Sequence, residues 1–304
     1  MSLGFHTLDV FTDRRFGGNP LGVVLGADDL PPERMQAIAR EINLSETVFV
    51  AAPQNPVHTA SVRIFTPVME LPFAGHPTIG AAVLLASLKG LSGENGCDNA
   101  IVTLEQRIGT VRVAVRSRPG EAAFAEFEAP KLPQDAGSLV PVERLAAALG
   151  LIPNEIGFEN HKPRCFAAGN AFACIPVATL EAMERAYVNP LHWAPAFDEQ
   201  GLVGVYLYTR QCVHTTAAFH ARMFAPGAGV AEDPATGSAA ICLAGAIAAF
   251  DDLPDGVHRR VLEQGFEMGR PSNITATLVV RGGKLEGVRI GGHAVQVISG
   301  SLEI

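Results

Sequence analysis

Apolar and polar positions divide this chain into short alternating runs and a few continuous apolar ones. Residues 5–11 alternate with the two-residue period of a strand, and Gly17-Gly18-Asn19-Pro20 turns the chain into a second strand at 21–25. Pro31 and Pro32 suit the first turn of a helix. Met35, Ile38 and Ile42 share one face of it, and it should end near Asn43. Residues 44–50 are rich in β-branched side chains and predict a strand with Ser45 and Glu46 at its entrance. Val62 and Ile64 mark another strand, and residues 90–99 read as a polar, Gly-containing loop. Val111, Val113 and Val115 alternate with Arg112, Ala114 and Arg116 in a half-exposed strand, with 122–128 as its partner. Pro130, Pro133 and Pro141 punctuate a linker. Val142, Leu145, Ala146 and Leu149 then form one face of a short helix closed by Gly150. Strands follow at 165–177, 203–209 and 214–224, and Arg281-Gly-Gly-Lys284 is a hairpin turn.

Two long apolar runs, 78–88 and 239–250, are each preceded by a copy of one motif. Arg63-Ile-Phe-Thr-Pro67 leads through Glu70 to Pro72-Phe-Ala-Gly-His76. Arg222-Met-Phe-Ala-Pro226 leads through Glu232-Asp233 to Pro234-Ala-Thr-Gly-Ser238. The copies begin 159 residues apart in a chain of 304 residues. A repeated strand–loop–helix unit predicts an α+β chain of two related halves, 1–128 and 129–304. The final strand, near 295–304, is free to cross back to the first half. Neither apolar run is long enough for a bilayer.

An apolar content of 48% is ample for folded cores, and a net charge of −8 with a pI near 5.6 argues against a nucleic-acid partner. The five cysteines, at 97, 165, 174, 212 and 242, are odd in number and widely spaced, so reduced, buried thiols are expected. The N-terminus carries no basic region followed by an apolar one, and the chain reads as soluble and cytoplasmic.

Candidate chemistry gathers at the two motif copies. Gly75-His76 and Gly237-Ser238 open helices whose unpaired N–H groups suit a carboxylate or phosphate, unless the glycines merely shape a turn and Ser238 caps its helix. Glu46 precedes an apolar strand that can desolvate it towards acid/base use; alternatively it is a solvated strand-end carboxylate. His76 is suited to hold or relay a proton near neutral pH, to cap its helix, or to fill a core position. Asp233 can orient a substrate amine or His76, or complement the helix dipole, and Glu70 and Glu232 carry that dipole explanation alone. No metal-ligand spacing occurs in these loops, and no G-x-G-x-x-G opens a helix at Gly17.

With these residues in view, the sequence resembles the PhzF-like family of phenazine-biosynthesis isomerases, of the diaminopimelate epimerase-like fold. Asp9-Val-Phe11, Gly18-Asn-Pro-Leu-Gly-Val23, Leu44-Ser-Glu-Thr-Val-Phe49, Pro72-Phe-Ala-Gly-His-Pro-Thr78 and Glu232-Asp-Pro-Ala-Thr-Gly-Ser238 carry the resemblance, spread over most of the chain. It implies two pseudo-symmetric halves, each a sheet wrapped around a central helix, with the active site in the cleft between them. It implies Glu46 as proton shuttle, with His76, Asp233 and Ser238 as catalytic partners. Substrate would be held by Gly75, His76, Gly237, Ser238 and Asn19. The implied reaction uses no cofactor or metal and shifts a proton on a small carboxylic acid resembling trans-2,3-dihydro-3-hydroxyanthranilate. A homodimer, with no membrane partner, is the implied assembly. Related epimerases of the fold use two loop thiols, where this chain has Ala74 and Ala235. A thiol-dependent amino-acid epimerase is therefore disfavoured, and a non-catalytic small-acid binding protein is a third reading.

Overall fold

The computed structural model describes residues 2–90 and 98–304, so most of the loop expected at 90–99, with Cys97, lies outside the described residues. Two compact units emerge, Met1–Pro130 with Gly291–Ile304, and Lys131–Ile290.

The first unit contains β1 (Ser2–Val10), β2 (Asn19–Leu25), α1 (Pro32–Ile42), β3 (Glu46–Ala51), β4 (Ala60–Phe65), β5 (Glu70–Leu71), α2 (Gly75–Leu88), β6 (Asp98–Gln106), β7 (Gly109–Ser117) and β8 (Ala123–Glu128). β1 runs antiparallel to β2, β2 parallel to β3, and β3 antiparallel to β4. β4 pairs antiparallel with β5 and, at its start, parallel with β6; β6–β7 and β7–β8 are antiparallel. The chain's last strand pairs with both β8 and β1, Ser2 facing Glu303, so the strands form a closed circuit. α2 lies within that circuit. Helices with one wet face are amphipathic, but α2 is apolar all round and buried from Gly75 to Ala86, the pattern of a helix surrounded by sheet. Gly80 permits the close approach: a Cβ there would lie 2.5 Å from Leu21 Cδ2 and 2.8 Å from Val10 Cγ2. α1 packs outside on Leu3, Val24, Phe49 and Phe65, and it ends as expected at Asn43 in the left-handed conformation.

The second unit contains β9 (Gln134–Gly137), α3 (Val142–Leu149), β10 (Arg164–Ala168), β11 (Asn170–Pro176), α4 (Leu180–Arg185), α5 (Pro190–Ala196), β12 (Gly204–Thr209), β13 (Phe219–Ala225), β14 (Val230–Asp233), α6 (Gly237–Phe250), β15 (Gly256–Gln264), β16 (Ser272–Arg281) and the start of β17 (Lys284–Glu303). β9–β10 and β10–β11 are antiparallel, β11–β12 parallel and β12–β13 antiparallel. β13 pairs antiparallel with β14 and, at its start, parallel with β15, which pairs antiparallel with β16. The β16–β17 turn places Gly282 and Gly283 at φ 57° and 69°, the two-residue hairpin expected there. α6 is buried at Gly237 and from Ala239 to Ile247.

Three expectations change. The strand expected at 165–177 is two strands, because Gly169 at φ 102° reverses the chain between Ala168 and Asn170. The strand expected at 214–224 starts at Phe219, since 213–218 is spent on a turn at whose start the N–H groups of Val213 and His214 donate to Glu263. The Pro-marked linker contains β9. Two further short helices, α4 and α5, are only six and seven residues long, too short for a periodic signal in the sequence. Among the described residues, no helix is long and apolar enough to cross a membrane.

Candidate active site

The motif Arg-x-Phe-x-Pro acquires a physical meaning from strand geometry. Residues i and i+2 share a face of a strand, so Arg63 lies over the Phe65 ring at 5.2 Å and Arg222 over Phe224 at 4.8 Å. Each guanidinium then clamps the acid of its own spacer. Arg63 Nε and Nη2 donate to Glu70 at 2.8 Å each, and Arg222 Nε and Nη2 donate to Glu232 at 2.8 and 2.9 Å. This corrects the dipole explanation for Glu70 and Glu232. Both are paired acids that tie the short β5 and β14 to their neighbouring strands, and Arg63 beside Glu70 holds its carboxyl below the usual range.

The clamps bring each chain segment to the start of a buried helix. Neither Ala74 nor Thr236, the residue before each first turn, caps its helix by a side-chain hydrogen bond, and neither first turn contains an acid. Ser238 is the second residue of α6 and not its cap, which removes the capping explanation for it. Neither cap residue's side chain therefore pairs with an N–H group of its first turn.

In the first unit the structure brings Glu46 and His76 together. Glu46 opens β3 in parallel register with Leu21, its side chain 16% exposed, and His76 follows Gly75 in the first turn of α2. Nε2 of His76 lies 3.5 Å from Oε2 of Glu46. Burial pushes the His76 imidazole down to about 3, so it is neutral at physiological pH. That corrects its reading as a group that titrates near neutrality: water is excluded, and no full hydrogen-bonded ion pair offsets the loss. Asn19 is buried at the start of β2, directly after Gly18, whose φ of 63° no side chain would tolerate with Val10 O at 2.3 Å from the Cβ position.

In the second unit Asp233, Gly237 and Ser238 lie within one turn of chain at the end of β14 and the start of α6. Asp233 is buried, and Oδ2 accepts the Thr236 hydroxyl at 2.5 Å. The four described cysteines are not placed for base chemistry; Cys242 is fully buried on α6, and desolvation drives its thiol up to about 12. Hollows of about 390 and 540 Å³ in the first unit are lined by none of the expected site residues.

Sequence reading missed a second duplicated element. Leu104-Glu-Gln106 closes β6 and Leu262-Glu-Gln264 closes β15. Glu105 accepts backbone N–H bonds from Gln54 and Asn55 and lies 2.8 Å from His58; Glu263 accepts from Val213 and His214 and lies 2.8 Å from His220. Gln106 donates to Thr78 in α2, and Gln264 donates to Asp233 O and Thr236 Oγ1 before α6. The signal was available, because Leu-Glu-Gln recurs at nearly the spacing of the Arg-x-Phe-x-Pro copies.

Known proteins resemble the chain over nearly its whole length. Residues 8–300 match the family model described as phenazine biosynthesis-like protein (PhzC-PhzF). The chain is 52% identical over 299 residues to an uncharacterized isomerase of Mesorhizobium japonicum, covering 97% of each. It is 36% identical over 302 residues to the trans-2,3-dihydro-3-hydroxyanthranilate isomerase of Pseudomonas aeruginosa, covering 97% of this chain and 98% of that one. The crystal structure of a PhzF-family phenazine biosynthesis protein from Bacillus anthracis matches with a TM-score of 0.87 at 28% identity, over 100% of both chains.

Proposed function

This chain belongs to the phenazine biosynthesis-like (PhzC-PhzF) family and is an isomerase, and from that premise we propose that it shifts a proton on a small carboxylic acid without a cofactor. The observation that carries this reading is the juxtaposition of Glu46 with a neutral His76. A cationic partner would stabilise the carboxylate and weaken it as a base; a neutral imidazole 3.5 Å away does not. Glu46 takes a proton from one carbon of the substrate and returns it to another, so the carboxylate is regenerated in each turnover. Gly75, Gly237 and Ser238, at two helix starts whose first turns contain no acidic residue, hold the substrate carboxylate, and Asn19 and Asp233 hold its other polar groups.

We take the two units as copies of one duplicated sheet-and-helix unit of the diaminopimelate epimerase-like fold. The substrate class follows that of the Pseudomonas relative, a ring acid resembling trans-2,3-dihydro-3-hydroxyanthranilate. The same reading takes the working form as a cytoplasmic homodimer, to be checked by light scattering and fractionation. A thiol-dependent epimerase loses support from Ala74, Ala235 and the buried, protonated Cys242.

The test is incubation with dihydro-hydroxyanthranilate in D2O, followed by NMR. Isomerised product carrying solvent deuterium supports the reading. Unlabelled product means that Glu46 returns the same proton before it exchanges, turnover kept in Glu46→Gln contradicts the shuttle, and absence of turnover removes this substrate.

A further inference from the structure

Gln264 is buried completely, and its amide makes four hydrogen bonds in the second unit. Oε1 accepts Tyr206 Oη–H at 3.0 Å and Thr236 N–H at 3.2 Å. Nε2 donates to Asp233 O at 2.7 Å and to Thr236 Oγ1 at 3.2 Å. Two of these partners have only one possible polarity. A backbone N–H donates and a backbone carbonyl accepts, so the amide cannot be turned over without facing donor to donor. The direction of the remaining bonds follows. Thr236 Oγ1 accepts a hydrogen bond from Gln264, which leaves its own O–H to donate to Oδ2 of Asp233 at 2.5 Å.

The backbone is shaped for the same contact. Gly265, next in the chain, has φ 80°, and a Cβ there would lie 2.6 Å from Pro234 O and 2.5 Å from Arg270 O. The end of β15 therefore presses directly on the Asp-Pro-Ala-Thr loop. The first unit lacks this completed network. Gln106 reaches Thr78 through Nε2 at 2.9 Å, but its buried Oε1 has no hydrogen-bond partner, and the strand position corresponding to Tyr206 is Val48.

We propose that Gln264 is a positioning residue of the reaction: through Thr236 it holds Asp233 as a hydrogen-bond acceptor in a single orientation, with Tyr206 locking the amide. This rests on the reading that Asp233 contacts the substrate. Gln264 itself is too deeply enclosed to touch substrate, and it acts through the loop.

Two variants separate positioning from stability. Gln264→Met removes every hydrogen bond at similar volume. Gln264→Glu keeps the acceptor for Tyr206 and Thr236 N–H but replaces the Nε2 donors, so the Thr236 proton is drawn away from Asp233. In the deuterium-exchange assay both variants should lose on the order of 100-fold in kcat, with KM changed by no more than about threefold. The glutamate variant should not rescue the methionine variant. Retention of kcat within about twofold in both, with only a lowered Tm, would overturn the proposal.

A second readout needs no substrate. In protein labelled with 13C at aspartate carboxyls, the Asp233 resonance, assigned with Asp233→Asn, is followed through a pH titration. Displaced curves in Gln264→Glu and Thr236→Val support the proposal, and curves superposing on the parent overturn it. Should the parent itself fail to turn over the acid, the substrate assignment falls, and the carboxyl titration still decides the role of Gln264.

Discussion

The two copies of the motif share a clamp and differ in chemistry. Each arginine lies on its phenylalanine and grips its own glutamate with two bonds, and each copy opens a 14-residue buried helix. Beyond that the copies diverge. Parallel pairing sets Glu46 opposite Leu21 in the first unit and Gly204 opposite Phe172 in the second, so only the first strand entrance carries a carboxylate. A Cβ at Gly204 would already crowd Phe224 O at 3.0 Å. The first helix begins Gly-His and the second Gly-Ser. Shared residues hold the backbone, and unshared ones are free to specialise. The repeat thus sorts structural positions from chemical ones within one sequence.

Breaking the clamps should separate the copies first. Arg222 is 7% exposed and also donates Nη1 to the carbonyls of Met183 and Ala186, at 2.7 and 2.8 Å. Arg222→Met leaves Glu232 without its partner and removes the side-chain donor to these carbonyls, and should cost about 3–5 kcal/mol in denaturant unfolding. Arg63 is 31% exposed, and Glu70 keeps Arg107 at 2.8 Å, so Arg63→Met should cost only about 1 kcal/mol. Equal losses would mean that the two clamps are not what distinguishes the copies.

Between these in size lies the pH dependence of two buried histidines, which runs in opposite directions. Burial disfavours a charge on His220, but its hydrogen bonds to the carboxylates of Glu263 and Glu267 at 2.8 and 2.9 Å outweigh it and raise the ring to about 9. Its stabilisation is fully present below pH 6.5 and is lost as pH rises through about 9, by about 3 kcal/mol. His220→Gln should flatten the alkaline limb of the stability profile. His76 has the reverse sign. With its ring lowered to about 3, the unfolded chain binds the proton first, so stability declines as pH falls below 6.5. His76→Gln should lessen the acid decline, read from Tm against pH. An unchanged profile in either variant would contradict its assigned environment.

Much of the fold was legible because periodicity and turn chemistry agree locally. Both apolar helices, Asn43 and the Gly282-Gly283 hairpin stand where the pattern put them. The first Arg-x-Phe-x-Pro copy marked the loop that leads to His76, which lies 3.5 Å from Glu46 at the start of β3. What escaped depended on contacts distant in sequence. The pairing of Glu70 with Arg63 needs the β4–β5 turn, and the neutral state of His76 needs the surrounding sheet. Gln264 reads as an ordinary strand-end amide until the Asp233 loop is folded against it.

The central claim is that proton transfer belongs to Glu46 in the first unit, and deuterium exchange by Glu46→Gln tests it most directly. The variant should keep Tm within a few degrees of the parent while exchange into substrate falls by roughly 100- to 10,000-fold. Exchange at the parent rate from a folded Glu46→Gln protein would contradict the assignment and move the search for the base elsewhere.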